Sequence, residues 1–218
     1  MSATFINSWS ERQVSGASSF SITLSLTAGN SAVLIGSQDK GSPLPTSVVT
    51  DGGTGSDAFT LTSVTGTSAS SFRYFVYFLP TLSDTRTGVT LTWASGVPFA
   101  DAFLWQFSGL ASPVLDAGVV GTGSGSGDVS TSSTGTLASA DEFAVVYGCS
   151  AVEILAVPSP WTSDGRIPDT GSRGGHQILT ANTAIQGTVT NDSGEYVVVA
   201  ATFKGASGTD VLMPQIWM

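Results

Sequence analysis

The sequence predicts an all-β protein built as a two-sheet antiparallel β-sandwich. Apolar and polar residues alternate with a period of two in several segments, which is the pattern of a strand with one buried and one solvated face. Glycine, asparagine and aspartate separate these segments as turn residues do. With 218 residues, the chain is long enough to bury a core without a disulfide or a metal, and we expect one domain over residues 1–218.

Two kinds of strand are predicted along the chain. The alternating kind is clearest at residues 19–27 and recurs at 59–62 and 89–93. The second kind is apolar on both faces, which indicates central strands or strands whose second face meets another subunit. These segments are Ala32–Ile35, Phe72–Leu79, Ala102–Phe107, Phe143–Tyr147 and Tyr196–Phe203. The predicted core residues are Ile22, Leu24, Phe75, Tyr77, Val89, Leu91, Phe143, Val145, Val198 and Ala200.

The connections are predicted from their glycine content. Residues 118–135 (GVVGTGSGSGDVSTSSTG) are expected to be a flexible surface loop that crosses between the sheets, because the parts on either side look too incomplete to fold alone. Asn191–Gly194 lies between two strand-like segments and predicts a hairpin. No internal repeat is evident in the sequence.

The charge pattern argues against several classes of partner. Seven basic and sixteen acidic residues give a net charge of −9, and the basic residues are dispersed. Without a basic stripe to contact phosphates, neither nucleic acid nor an anionic membrane surface is an expected partner. Only 11% of residues are charged, against about 25% in average globular domains, so much of the surface must be Ser, Thr, Gly and Ala.

Residues that could support catalysis are scarce. One histidine and one cysteine cannot form a zinc site with the usual ligands, and His176 has no G-x-S-x-G elbow to accompany it. We therefore expect no enzymatic activity, metal or cofactor. Cys149 is expected to be buried and inert, and the Asp141–Glu142 pair to lie in a solvated turn. The segment Asp51–Asp57 predicts a plain hairpin connection, with a calcium-binding loop as the alternative.

Three segments resemble a diffuse group of bacterial secreted and phage-encoded β-sandwich modules. They are PTSVVTDGGTGSDAFTLTSVTG, SSFRYFVYFLP and TGVTLTWASGVPFADAFLWQFSGLASPVLDAG, and the ending AATFKGA resembles the group's final strand. The resemblance covers roughly residues 18–205 and implies a jelly roll, a fold that serves capsids, lectins and adhesins alike. Gln106 stands where the group tends to have glutamate, so a role for that carboxylate does not carry over.

Together these features favour a non-enzymatic virion structural protein, a capsid decoration (cement) protein of a tailed phage. The expected partners are copies of the chain itself, in a homo-oligomer such as a trimer, and the major capsid protein. The start of the sequence lacks a signal peptide, so we expect synthesis in the host cytoplasm and a final location in the virion.

The expected assembly contacts are apolar residues near the termini, which would be costly to leave in water. They are Phe5, Trp9, Leu212, Ile216 and Trp217. These residues would pack onto a neighbouring subunit or a larger shell, and the alternative is that they pair with the domain's own edge strands.

A carbohydrate-binding or adhesion module, such as a tail-fibre or cell-surface component, is the alternative function. Sugars stack on exposed aromatic side chains, and Trp161 lies in a Pro/Gly-rich segment with Asp164 and Arg166. These three residues are the candidate ligand platform. Trp93 and Trp105 lie in strand-like segments and are expected in the core.

Overall fold

The computed structural model describes residues 2–13, 16–167 and 170–205 as an all-β protein. This part of the chain contains sixteen strands. They are β1 (Thr4–Gln13), β2 (Ser19–Leu26), β3 (Ser31–Asp39), β4 (Ser47–Asp51), β5 (Thr60–Thr67), β6 (Phe72–Leu79), β7 (Arg86–Thr92), β8 (Ala100–Ser108), β9 (Val114–Ser124), β10 (Gly127–Ser130), β11 (Glu142–Ser150), β12 (Ile154–Ala156), β13 (Thr162–Arg166), β14 (Arg173–Leu179), β15 (Thr188–Asn191) and β16 (Glu195–Lys204). No helix within these ranges is long and apolar enough to cross a membrane.

The strands form four antiparallel sheets, two in each half of the chain. In the first half, the first inner sheet has the order β1-β8-β3-β6-β5 and the first outer sheet the order β2-β7-β4. In the second half, the second inner sheet has the order β13-β14-β11-β16-β9 and the second outer sheet the order β10-β15-β12. The predicted antiparallel β-sandwich is therefore confirmed, and each half contains its own pair of sheets.

Each half has the connectivity of a jelly roll. In the first half β1 pairs with β8, β2 with β7 and β3 with β6, as in a long hairpin wrapped around itself. The second half repeats the scheme, because β9 pairs with β16, β10 with β15 and β11 with β14. The two halves are thus tandem copies of one topology. That the chain is one domain over residues 1–218 stays a prediction.

The central strands of the two inner sheets retain a sequence trace of this repeat. Ala32–Gly36 of β3 reads AVLIG, and Ala144–Gly148 of β11 reads AVVYG. Continuing the alignment by one residue matches Ser37 with Cys149, and the Ser37 hydroxyl lies close enough to Cys149 to act on the pKa of its thiol. Contact between matching residues is expected beside a two-fold axis, so the halves pack as a pseudo-symmetric pair about β3 and β11.

Three apolar layers separate the four sheets. Each outer sheet packs on its own inner sheet, and the two inner sheets pack face to face. Rings from the two halves stack at this central layer, with centroid distances of 4.3 Å for Phe107 and Phe143 and 4.6 Å for Phe78 and Phe203. The strands predicted to be apolar on both faces therefore have two buried faces. Their second face meets the other half of the same chain.

The predicted core residues are confirmed as buried. All ten have at most 8% of their surface exposed. They are Ile22, Leu24, Phe75, Tyr77, Val89, Leu91, Phe143, Val145, Val198 and Ala200. Trp93, Trp105 and Cys149 are buried as well, as predicted.

The expectation of a flexible loop over residues 118–135 is wrong. Strand β9 extends through Ser124 and pairs along its length with β16, and β10 follows from Gly127. The glycines permit close packing here. A Cβ atom at Gly118 would lie 2.1 Å from Val64 Cγ2, and one at Gly121 would lie 2.2 Å from the Ser130 carbonyl oxygen. At Gly118 and Gly121, therefore, glycine is present because a larger residue would clash with its neighbours.

The hairpin predicted at Asn191–Gly194 is also wrong, although the turn itself exists. Gly194 has a φ of 79°, which favours glycine, but β15 belongs to the second outer sheet and β16 to the second inner sheet. The turn therefore crosses between layers. Consecutive strands of a jelly roll often change sheet, and local turn chemistry does not distinguish such a crossing from a hairpin.

Truncation of Leu91 tests the assignment of strand faces. Leu91 is fully buried between the first outer and inner sheets, so Leu91→Ala should lower the free energy of unfolding by about 2–5 kcal/mol. Thr23 on the solvated face of β2 is the control, and Thr23→Ala should change it by less than about 0.5 kcal/mol. Chemical denaturation measures both. Equal effects of the two substitutions would contradict the layer assignment.

Candidate functional site

A cavity of about 560 Å³ lies where the two halves meet, near the start of β8 and the end of β11. We call it the junction cavity. Both halves contribute to its wall. It is lined by Arg12, Ser71, Phe72, Phe99, Asp101, Ser150, Ala151, Val152, Arg166, Thr170 and Gly171. The wall therefore combines two guanidinium groups, one carboxyl group and two aromatic rings.

Asp101 is the buried acidic group of the junction cavity. It lies on β8 directly opposite Arg12 of β1, whose Nε is 3.8 Å from the Asp101 Oδ1 atom. Its other oxygen accepts a hydrogen bond of 2.9 Å from the Ser172 hydroxyl. Burial raises the pKa of Asp101 to about 6, although the Ser172 hydrogen bond and the Arg12 charge act in the opposite direction.

A chain of hydroxyl groups runs from Asp101 into the central apolar layer. The Tyr147 hydroxyl donates to Ser172 Oγ at 3.2 Å and lies 2.8 Å from Ser37 Oγ. Ser37 belongs to the first half, and Tyr147 and Ser172 belong to the second. These bonds satisfy polar groups that would otherwise be costly to bury and tie the two inner sheets together. Burial raises the pKa of Cys149 far above its ordinary value, so this thiol is not a nucleophile at neutral pH.

The guanidinium groups occupy the solvent side of the junction cavity. The side chains of Arg12 and Arg166 are 34% and 42% exposed, whereas that of Asp101 is 9% exposed. Arg166 pairs with Glu153 at 2.8 Å, and its Nε donates to the Thr170 carbonyl oxygen at 3.1 Å. Of the residues predicted as a ligand platform, Arg166 is the one that lines the cavity.

The predicted platform is not formed, because Trp161 is buried. Only 5% of Trp161 is exposed, and its indole Nε1 donates to the Gln186 carbonyl oxygen at 3.2 Å inside the core between the second inner and outer sheets. The expectation of an exposed stacking surface at Trp161 is therefore wrong. A large aromatic ring in a Pro/Gly-rich segment can still fold back into a core, since burying it is strongly favourable.

Asp164 has a different role, because it binds His176. Both Asp164 carboxylate oxygens lie within 2.9 Å of His176 Nδ1, and Oδ2 also accepts a 2.7 Å hydrogen bond from the Trp105 indole of the first half. Phe5 stacks on the His176 ring with a centroid distance of 3.9 Å. His176 lies in the middle of β14. The cluster joins the halves through side chains that are far apart in sequence.

The expected assembly residues near the N-terminus make contacts within the chain. Strand β1 pairs with β8, which places Phe5 opposite Phe107 and Trp9 opposite Leu104. Phe5 packs on the apolar layer between the two inner sheets. Trp9 packs on the apolar layer between the first inner and first outer sheets. The structure thus follows the alternative, in which the terminal segment pairs with the domain's own sheet. Leu212, Ile216 and Trp217 lie outside the described residues.

The Asp51–Asp57 loop wraps around a side-chain cation. The Arg86 guanidinium, which is 1% exposed, donates to the carbonyl oxygens of Gly52 and Gly55 at 2.6 and 2.7 Å. It also pairs with the Asp57 carboxylate at 3.1 Å. The oxygens that would coordinate calcium are thus engaged by arginine, which argues against the calcium alternative. Sequence reasoning missed this because Arg86 is distant from the loop in the chain.

A buried pair of carboxyl groups was also missed. Glu142 is fully buried, so the expectation of a solvated Asp141–Glu142 turn is wrong for Glu142. Burial raises the pKa of Glu142 to about 7, a hydrogen bond from Thr202 opposes this, and the neighbouring Asp116 charge adds to it. Burial would also raise the pKa of Asp116, but a hydrogen bond from the Ala138 amide and the Lys204 ammonium at 2.6 Å lower it.

Replacing Arg86 should destabilise the protein strongly. In Arg86→Met the loop carbonyls and Asp57 lose their buried partner, so the free energy of unfolding should fall by about 3–5 kcal/mol. Arg86→Lys should recover little of the loss, because an ammonium cannot reproduce the guanidinium's fork of donors. Chemical denaturation with and without millimolar calcium measures this. A calcium-dependent rise in wild-type stability would contradict the assignment.

Asp101→Asn should remove one source of pH-dependent stability. Since the folded pKa of about 6 exceeds the ordinary 3.8, the folded state binds the proton more tightly, and wild-type stability falls as pH rises through this interval. The variant should therefore gain up to about 3 kcal/mol relative to wild type between pH 4 and pH 7. Glu142 titrates in both proteins and cancels from the difference. A difference that does not vary with pH would refute the prediction.

Glu142→Gln should stabilise the protein at alkaline pH. Above about pH 7 the wild type must keep two carboxylates together in a buried site, whereas glutamine remains neutral and can donate to Asp116. Between the ordinary pKa of 4.5 and about 7 the wild type loses stability as pH rises, and the variant should lose less. Thermal unfolding at pH 5 and pH 8.5 measures the change. Equal shifts of Tm in the two proteins would contradict it.

No protein-family model matches the sequence, and no curated protein matches it either. The resemblance to secreted and phage-encoded jelly-roll modules therefore stays a prediction.

Proposed function

We propose that this chain is a non-enzymatic structural protein of a virion, a capsid decoration protein of a tailed phage. The observation that carries the proposal is the surface chemistry of the two outer sheets. Their solvated faces lie at opposite ends of the four-layer stack, and both are rich in hydroxyl groups and poor in charge.

The first outer sheet presents rows of serine and threonine. Register places Ser19, Thr92 and Ser47 in one row, and Ser21, Thr90 and Val49 in the next. Ser21 Oγ lies 2.6 Å from Thr90 Oγ1, and Thr90 in turn donates to the Asp51 carboxylate. The hydroxyl groups thus bond to one another and to the Asp51 carboxylate, and form a hydroxyl-rich, hydrogen-bonded face.

The second outer sheet has the same character. Ser130 and Thr188 lie opposite each other with their hydroxyl oxygens 2.9 Å apart, and Thr190 donates to Asp128 at 2.7 Å. Leu155 of β12 adds an apolar side chain that is 46% exposed. The pseudo-symmetric halves therefore offer two similar faces that point in opposite directions.

Such faces suit a subunit that packs between neighbours. Charged residues are depleted from the cores of protein interfaces because they are expensive to desolvate, whereas hydroxyl groups are cheaper to cover. Two ionic contacts of the described residues, Arg86 with Asp57 and Lys204 with Asp116, have carboxylates that are only 13% and 8% exposed. The partners we propose are further copies of the chain, in a homo-oligomer such as a trimer, and the major capsid protein.

The alternative function has lost its proposed surface. A carbohydrate-binding or adhesion module, such as a tail-fibre component, depended on Trp161 as an exposed platform, and this side chain is buried. The structural proposal depends on the outer faces and is independent of Trp161.

Placing a charge on an outer face should weaken assembly. In Thr23→Lys an ammonium replaces an exposed hydroxyl on β2, and burying it against a neighbour is costly, so attachment to capsids that lack the protein should fall several-fold. Thr81→Lys, in the exposed connection between β6 and β7, is the control with the same charge change. Co-sedimentation measures attachment. If wild-type protein does not sediment with capsids and is absent from purified particles, the proposal fails.

A further inference from the structure

We propose that Lys204 and Asp116 react with each other to form an intramolecular amide bond, with Glu142 transferring the protons. The three side chains lie on β16, β9 and β11, which are neighbouring strands of the second inner sheet. We call them the amide triad. This modification site is independent of the structural role proposed above, because the reaction requires no partner outside the chain.

The amine and the carboxyl group of the amide triad are already in contact. Lys204 Nζ lies 2.6 Å from Asp116 Oδ1. Since Oδ1 is bonded to Cγ, the nitrogen is at most about 4 Å from the carbon it would attack, close to the roughly 3–3.5 Å of a reactive contact. Strand β9 bulges at Asp116, which lies between the partners of Thr202 and Phe203, and a bulge can direct a side chain in this way.

Burial distinguishes this contact from an ion pair on the surface. The side chains of Asp116 and Lys204 are 8% and 24% exposed, and Glu142 is fully buried. Keeping opposite charges out of water is costly, whereas an amide carries no charge. The fixed proximity of the two groups also offsets the preference of an amide for hydrolysis in water. Both effects favour formation of the bond.

Backbone amides of the connection between β10 and β11 hold both carboxyl groups. The Ala138 amide donates to Asp116 Oδ2 at 2.8 Å, and the Ser139 amide donates to Glu142 Oε1 at 3.2 Å. When Lys204 attacks Cγ, negative charge develops on Asp116 Oδ2, where the Ala138 amide can stabilise it. Glu142 Oε2 is buried and makes no hydrogen bond with any residue that the structure describes, so this oxygen is free to exchange protons.

Glu142 can both donate and accept a proton near neutral pH. Burial raises its pKa to about 7, and it lies close enough to Asp116 for each carboxyl group to act on the pKa of the other. A group that titrates near the working pH is the most effective general acid and base. Glu142 is therefore suited to carry protons between the amine and the departing oxygen.

The reaction is balanced without a further reactant. Through Glu142, one proton moves from the Lys204 ammonium to Asp116 Oδ1, which leaves a neutral amine beside a carboxylic acid. The lone pair of Nζ then attacks Cγ and the Nζ–Cγ bond forms. Glu142 takes a second proton from the nitrogen and delivers one to Oδ1. The Cγ–Oδ1 bond breaks, Oδ1 leaves as water, and Glu142 returns to its initial state. One positive and one negative charge disappear together.

Mass spectrometry of the denatured full chain tests the bond. Wild-type protein that has folded should be lighter than its sequence by the mass of one water. Trypsin should then release residues 87–166 joined to residues 174–218, because trypsin does not cleave after a lysine whose amine is part of an amide. A chain without the bond would release residues 174–204 as a separate peptide.

The second lysine of the chain provides a matched control. Lys204→Arg keeps the charge but should abolish the bond, whereas Lys40→Arg should form the bond as the wild type does. Glu142→Gln should slow bond formation by about a hundredfold or more, because glutamine does not transfer protons. Glu153→Gln alters a carboxylate that pairs with an arginine elsewhere, and its rate should equal that of the wild type. The linked fraction at intervals after cell-free synthesis measures these rates.

Several outcomes would overturn the proposal. They are an unchanged mass after prolonged incubation of folded wild-type protein, loss of water without joined fragments, and loss of water that persists in Lys204→Arg. A wild-type rate in Glu142→Gln would refute the role of Glu142. If the variants do not fold, the digest of the wild type decides the matter, because the joined fragments identify the bond directly. The thermal unfolding of Glu142→Gln is then compared in the Lys204→Arg background, in which neither protein forms the bond.

Discussion

The face-to-face packing of the two five-stranded sheets is the contact on which the rest of the structure depends. It removes the last solvated face from strands such as β3 and β11, whose other face already packs on an outer sheet. A strand segment buried on both faces must be almost continuously apolar, as Ala32–Gly36 of β3 and Phe143–Cys149 of β11 are. Polar side chains can enter the central layer only with partners, which is why Tyr147 is hydrogen-bonded to Ser37 and Ser172.

The fold class was predictable because it depends on local pattern. Alternation in β2 placed Ile22 and Leu24 on a buried face, and the doubly apolar segments were correctly identified as strands. The number of sheets was not predictable in the same way. An apolar second face indicates burial without indicating what covers it, and only the three-dimensional arrangement shows that the cover is the other half of the chain. Matching segments as short as Ala32–Gly36 and Ala144–Gly148 are too brief to reveal a repeat by themselves.

The candidate site was less predictable, because its residues come together only through the packing of the halves. Arg166 was identified from its segment, but Arg12 and Asp101 lie more than fifty residues away and meet it across the central layer. The contacts of Arg86 with the Asp51–Asp57 loop and of Glu142 with Asp116 each lie within one half, but they too join residues that are distant in the sequence. Single residues such as Trp161 were misjudged because their surroundings were unknown.

The junction cavity lies where the two halves cease to resemble each other. Aligning Phe107-Ser108-Gly109 at the end of β8 with Phe203-Lys204-Gly205 at the end of β16 places Asp101 opposite Val197, a residue buried in the central layer. A valine at position 101 would continue the apolar contact, whereas a carboxyl group requires the hydroxyl of Ser172 and the charge of Arg12 nearby. Pseudo-symmetric packing thus stabilises most of the interface, and the departure from symmetry at Asp101 introduces polar groups at its edge.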